Sequence, residues 1–195
     1  MTDPRHIPVL LDECMDLLAP SPGQVAVDCT AGRGGHAEAL AGVLGPEGTL
    51  VLLDLDESNL QAARQRVEAA DTGVTIHAIH GSFGLVHRTL EDLDVRADLV
   101  LADLGFASTQ MDNPDRGMSF SHDGPLDMRF DTSSGRSAAD LVATTSEAEL
   151  ADIIHSLGEE PLARRIAQKV VLARDEQPIE TTGQLTRIVR EAYGR

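Results

Sequence analysis

Four short apolar runs punctuate the first half of the chain: Gln24 to Cys29, Thr49 to Asp54, Val74 to His80 and Ala97 to Asp103. Amphipathic stretches long enough to be helices separate them. Strand patterns that alternate with helical ones join through right-handed crossovers and build a parallel sheet covered by helices on both faces. The first half is therefore expected to be α/β. Ahead of it, Val9, Leu10, Leu11, Cys14, Met15, Leu17 and Leu18 recur at helical spacing, and Pro20 and Pro22 close that segment, so a leading helix is predicted.

After Asp103 the character changes. Gly105 to Ser134 is rich in Gly, Pro, Asp and Ser, has no sustained periodicity, and is too long for an ordinary connection, which points to a functional loop. Helical signals return from Ser137. Ser146 and Glu149 have the spacing of a capping box before Leu150, Ile153 and Ile154, and further helices are predicted over Pro161 to Arg174 and Thr182 to Tyr193. The expected organisation is a core over residues 1–104, a loop over 105–135 and a helical lobe over 136–195.

Charge narrows the function. The 195 residues carry 16 Lys and Arg against 32 Asp and Glu, a net charge of −16. A generic nucleic-acid binder needs an excess of cations for phosphate contact, so any RNA contact here is confined to a local patch. Lys169 is the only lysine. No apolar run approaches bilayer length, and the start MTDPRH lacks the order of a secretory signal, so a cytoplasmic protein is expected. Cys14 and Cys29 lack the spacing of zinc or disulfide frameworks and read as small buried side chains; no metal is expected.

The first apolar run leads into Asp28-Cys29-Thr30-Ala31-Gly32-Arg33-Gly34-Gly35-His36, and a helical stretch follows at once. Glycines let a backbone turn sharply and approach a ligand, and the amides of the next helix face the same space. This is the pattern of a nucleotide-binding turn, although a tight strand-to-helix turn needs glycine for geometry alone. Asp54 ends the second run about twenty residues beyond the glycines, where a carboxylate can accept hydrogen bonds from ribose hydroxyls. Asp56 reads as a cap for the helix that follows. Asp103 ends the fourth run, at the expected reversal of strand order where open α/β sheets hold ligands, unless it only caps a turn. Gly32, Gly34 and Ala37 also satisfy a relaxed dinucleotide pattern, so the glycines do not by themselves choose between a dinucleotide and S-adenosylmethionine.

Several segments resemble the bacterial 16S rRNA (cytosine-N4)-methyltransferases. They are His6-Ile7-Pro8-Val9-Leu10-Leu11, Gly32 to His36, His80-Gly81-Ser82-Phe83, Asp103-Leu104-Gly105, and the loop segments Gln110, Arg116-Gly117, Ser119-Phe120 and Asp123-Gly124-Pro125-Leu126-Asp127-Met128-Arg129. Gly158-Glu159-Glu160 and Arg164-Arg165-Ile166-Ala167 are similar to the family's inserted helical lobe. The resemblance implies a Rossmann-like S-adenosylmethionine-dependent methyltransferase core with an inserted helical lobe, and methyl transfer to the N4 amine of a cytidine in 16S rRNA of the small ribosomal subunit. It implies cofactor contacts from Gly34, Gly35, His36, Asp54, Phe83, Asp103 and Gln110, with Asp54 on the ribose and Phe83 against the adenine. Phe106, Ala107 and Thr109 depart from the family's usual residues after Asp103. The chain also stops at Tyr193-Gly194-Arg195, short of the family's usual length and without its returning strands, so an incomplete sheet with an open fourth strand is expected.

No sequence feature assigns a catalytic residue. Asp103 and the loop up to Arg129 are where an acceptor for the amine's proton is sought, while Asp123 and Asp127, beside Gly and Pro, equally suit loop-structuring roles. Arg164, Arg165 and Lys169 form the best local patch for phosphate, although Glu159 and Glu160 before them also allow intrahelical pairing. Two other functions compete. One is an NAD-dependent oxidoreductase, which the glycine pattern allows; the other is a non-catalytic module that binds the cofactor or assembles with a partner. The sequence leaves the oligomeric state open.

Overall fold

The computed structural model describes residues 8–194, apart from the side chains of Ser108 and Thr109; His6 and Ile7 of the opening motif lie outside that range. The chain divides into two compact units, Met1–Gly105 and Phe106–Arg195.

The first unit is built on four parallel strands, β1 (Val25–Asp28), β2 (Thr49–Asp54), β3 (Thr75–His80) and β4 (Leu99–Leu101), in the order β3-β2-β1-β4. Strands β1 and β2 are central, and their apolar runs are buried on both faces. Ala26, Leu50 and Leu52 point to one side, against α2 (Gly35–Leu44) and α3 (Glu57–Ala69). Met15 and Leu18 of α1 (Leu11–Leu18) pack on the same side. Val27, Cys29, Val51 and Leu53 point to the other, where Val86 and Leu90 of α4 (Val86–Asp92) and the following Leu93 cover them. Side chains of opposite parity in a strand face opposite layers, which is why continuous apolar runs rather than alternating ones mark these strands.

One difference from the sequence reading has a clear cause. The fourth strand pairs over only three residues, so Asp103 lies beyond its end rather than closing it. The reason is the partner: β1 stops at Asp28 and turns away, and after the bond from Cys29 N to Leu101 O no β1 backbone remains to continue the ladder. Its other edge carries no strand among the described residues, and Val100 is 55% exposed. The leading helix forms, but Val9, Leu10 and Leu17 of its apolar set are exposed.

In the second unit, the segment expected to lack regular structure holds a short helix, α5 (Ser108–Asp112), and a 3₁₀ turn at Pro114–Arg116. Four helices follow: α6 (Ala138–Thr144), α7 (Glu147–Gly158), α8 (Ala163–Glu176) and α9 (Thr182–Ala192). Leu126, Val142, Leu150, Ile166, Val170 and Ile179 form their core. Ser146 caps α7 as its spacing suggested, its hydroxyl accepting from Glu149 N at 3.3 Å.

The Asp123–Arg129 segment is held by its own charges. Both carboxylate oxygens of Asp127 accept from the Arg129 guanidinium, at 2.9 and 2.6 Å. Nη2 of Arg116 donates to the carbonyls of Arg129 and Phe130. Asp123 accepts from Gly183 N at 2.8 Å at the start of α9, and Pro125 bridges to Thr181. These pairings hold the carboxyls of Asp123 and Asp127 below the usual range, through the Gly183 amide and the Arg129 side chain respectively.

Leu52 is fully buried in the centre of the sheet. Replacing it with Ala is expected to lower the unfolding free energy by roughly 2–5 kcal/mol, the usual range for a buried Leu. Urea titration followed by far-ultraviolet circular dichroism measures this, and a loss under about 1 kcal/mol would contradict the layer assignment.

Candidate functional site

Sheet order places the site. The chain passes from β1 to β2 on one side and returns past β1 to β4 on the other, so the carboxyl end of β1 stands where the order reverses. Crevices of open α/β sheets form at that point. The chain leaves β1 there and enters α2 through a turn closed by bonds from Ala31 N to Leu53 O and from Gly34 N to Ala31 O, at 2.9 and 2.8 Å.

The glycines of this turn are required by contact as well as by conformation. Gly34 has φ +79°, and a Cβ there would lie 2.7 Å from the Ala63 Cα in α3. A Cβ on Gly35 would lie 2.2 Å from Cγ of Pro8. Any side chain would displace the start of α2, whose first-turn amides point out of the turn.

Three carboxylates gather at the strand ends. Asp54, ending β2, accepts from Gly32 N and from Asp56 N, each at 2.8 Å, so it ties the glycine turn to the second strand. Each carboxylate oxygen keeps a second lone pair, which leaves capacity for ligand hydroxyls. Burial raises its carboxyl above the usual range despite those two bonds. Asp56 caps α3, as expected, accepting from Ser58 N at 3.0 Å. Asp103 is exposed, its backbone N–H donates to Thr30 Oγ1 at 2.7 Å, and nothing engages its carboxylate among the described residues.

The third carboxylate was not singled out from the sequence. Asp28 ends β1 and is only 1% exposed; it accepts a bond of 3.1 Å from Thr30 N. Burial, with Asp54 and Asp103 nearby, pushes it up to about 7. The available signal was an acid closing Val25-Ala26-Val27, a run otherwise committed to the core.

The other predicted residues are distributed as follows. His36 lies in the first turn of α2, 8% exposed, and its Nε2 has no hydrogen-bond partner among the described residues. Phe83 begins a 3₁₀ turn after β3 and is 44% exposed, so it is not part of the core. Gln110 belongs to the second unit, in α5, where it is buried and its Oε1 accepts from Ala107 N at 3.0 Å. Arg164 and Arg165 are exposed in the first turn of α8, and with His155, Asp152 and Pro161 they line a cavity of about 470 Å³. Lys169 is instead directed to Glu191, at 3.4 Å. His155, like Asp28, was missed: only packing of α7 against α8 brings it beside the arginines.

An open parallel sheet with a glycine turn after β1 and an acid at the end of β2 defines a Rossmann-like cofactor-binding unit. The family model of the MraW methylases matches residues 3–195, and the chain belongs to that family. Over 193 residues it is 46% identical to the ribosomal RNA small subunit methyltransferase H of Geobacter sp. (strain M21), covering 98% of this chain and 61% of that protein. It is 44% identical over 185 residues to the protein of the same name from Nitrosomonas europaea, with 94% and 57% covered. The chain therefore spans about three-fifths of the length of these curated relatives. The cofactor of the family is S-adenosyl-L-methionine, and family membership sets aside the NAD-dependent oxidoreductase reading.

The residues present fit that cofactor: the Nε2 of the buried His36 lacks a partner among the described residues, and three acids at the strand ends suit hydroxyls and cationic groups.

The buried acid makes stability depend on pH. Because the folded-state value of Asp28 is raised from 3.8 to about 7, the folded chain holds the proton more tightly than the unfolded one. Its favourable contribution is complete below pH 3.8 and is lost as pH rises to about 7, leaving a penalty on the order of a few kcal/mol above that. Asp28→Asn keeps an acceptor for Thr30 N and is expected to raise the melting temperature clearly at pH 8.5 and far less at pH 5. An equal shift at both pH values would contradict the titration of Asp28.

Proposed function

We propose that this chain carries the cofactor-binding and helical parts of an enzyme that methylates the N4 amine of a cytidine in 16S rRNA of the small ribosomal subunit. The observation that carries the reading is the Gly32–Asp54 tie at the switch point, in a chain of the MraW family whose relatives are named for small-subunit ribosomal RNA methylation. Gly34, Gly35 and His36 would hold the cofactor at the turn, Asp54 the ribose, Phe83 the adenine face, and Asp103 a further contact.

When bound, the cofactor supplies a methyl group on a sulfonium, an activated electrophile. The N4 amine of cytosine is a weak nucleophile because its lone pair is delocalised into the ring, so in-line placement dominates the catalytic task. As the N–C bond forms and the S–C bond breaks, the amine becomes acidic and releases a proton to an acceptor. Asp123 and Asp127 are occupied in holding the loop, whereas the Asp103 carboxylate is exposed and unengaged among the described residues. Asp103 is thus the favoured acceptor.

For the RNA, the cavity beside Arg164, Arg165 and His155 suits a phosphate. Helix first turns ordinarily favour acids, yet α8 opens with two arginines and its N-cap Leu162 makes no side-chain capping bond. Exposed aromatics add to this reading. The chain has four Phe, and Phe120 and Phe106 are 79% and 66% exposed, Phe106 stacked on Phe130 with centroids 5.5 Å apart. Such rings suit unstacked bases, the form in which RNA presents a cytosine for chemistry.

Two measurements test the reading. Calorimetric titration with S-adenosylhomocysteine should give binding that Asp54→Ala weakens about ten- to a hundredfold, the usual cost of charge-assisted hydrogen bonds. No binding by the wild-type chain would refute the cofactor site. For single-stranded 16S-derived RNA, joint Arg164→Ala and Arg165→Ala substitution should weaken binding and flatten the log–log salt slope by about 1.4, near 0.7 for each lost phosphate contact. An unchanged slope would remove α8 from the interface.

A further inference from the structure

A left-handed backbone angle costs free energy at any residue that carries a Cβ, because that atom crowds the following carbonyl oxygen. Among the described residues, Leu10, Ala19, Asp71, Asp94, Met128 and Glu159 have one. Ala19, Asp71, Asp94 and Glu159 close the helices α1, α3, α4 and α7, which is the ordinary use of this conformation. Leu10 opens α1. Met128, at φ +64°, is at no helix end, since α6 begins only at Ala138.

The surrounding backbone imposes this angle. The Met128 N–H donates to Arg116 O at 3.1 Å, and Nη2 of the same arginine donates to the carbonyls of Arg129 and Phe130, at 3.1 and 2.7 Å. On the other side, the N–H of the buried Leu126 donates to Glu180 O at 2.8 Å, and the Asp127 carbonyl accepts from Ala138 N at 2.7 Å. The Met128 side chain does nothing comparable: it is 52% exposed and takes no part in the core of the helical unit. Glycine would adopt the same angle without strain. A strained position that keeps an exposed apolar side chain points to a contact made outside the chain.

We propose that Met128 contacts the RNA substrate, its thioether packing on the face of an unstacked base. This rests on the reading of the chain as part of an rRNA methyltransferase and adds to it a residue outside the cofactor site. A thioether is flexible and polarisable and packs favourably against ring systems. Phe130, tied by the same guanidinium, stacks on Phe106, so the segment that presents Met128 also carries aromatic rings. Charge gives base contacts a larger share of the affinity. With 32 acidic residues against 16 Lys and Arg, few cations are left for phosphates, and the faces of the bases are the remaining surface to hold.

Fluorescence anisotropy with a labelled single-stranded oligocytidylate, alongside thermal unfolding, tests this on the 195-residue chain. Met128→Gly relieves the backbone, so it should melt at or above the wild-type temperature. The same variant should bind the oligocytidylate about fivefold more weakly, the scale of a sulfur–ring contact. Met128→Ala keeps the strained angle without the thioether and should lose as much, whereas Met128→Leu should bind within about twofold of wild type. On an abasic ribose-phosphate oligomer of the same length, which has no base to contact, wild type and Met128→Gly should bind alike. Wild-type-like binding of the oligocytidylate by Met128→Gly, or an equal loss on the abasic oligomer, would overturn the inference. So would a lowered melting temperature in Met128→Gly, which would make the side chain structural. Failure of the wild-type chain to bind either oligomer would overturn the rRNA reading and this inference together.

Discussion

The pairing of β1 with β2 on one side and β4 on the other is the constraint on which the first unit depends. A strand bonded on both edges and buried on both faces has one register, because a shift of one residue would exchange the two packed layers. That register brings Asp28 level with Leu52 and Leu101 and carries the chain into the glycine turn at a fixed point. Gly34 against Ala63 and Gly35 against Pro8 then fix where α2 begins. The site is a consequence of where β1 ends.

Electrostatics at that point run against simple stability. The ends of β1 and β2 and the loop after β4 each bring a carboxylate to a crevice, and the first of them is almost wholly removed from water. Backbone amides offset part of the cost at Asp54 and a single one does so at Asp28. Residual repulsion of this kind would be relieved by a cation. In the second unit the acids are used differently. Asp127 with Arg129, and Asp123 with the start of α9, hold a loop that has no sheet or long helix to order it.

Much of the first unit was legible in the sequence because its signals are local. Continuous apolar runs give buried strands, and glycines after the first run give a turn. An acid about twenty residues later gives a second strand end. The length of β4 was not legible, because a ladder stops where the partner stops, and the partner here lies some seventy residues earlier in the chain. Asp28 was overlooked for a related reason: an acid after three apolar residues reads as a strand end, and only packing shows that it is buried. The resemblance to known methyltransferases singled out the Asp123–Arg129 segment, but its salt bridge and its tie to α9 come from geometry.

The sequence by itself determined the α/β class, the glycine turn, the Asp54 position and the family, since each depends on residue types at short, fixed spacing. Tertiary structure alone decided which acids are buried and which are open, how Thr30 comes to hold Asp103, and how His155 joins Arg164 and Arg165. These depend on contacts between residues distant in the chain. Burial and hydrogen bonding are properties of the three-dimensional environment, and side chains of one chemical type, such as the acids here, acquire different roles from it.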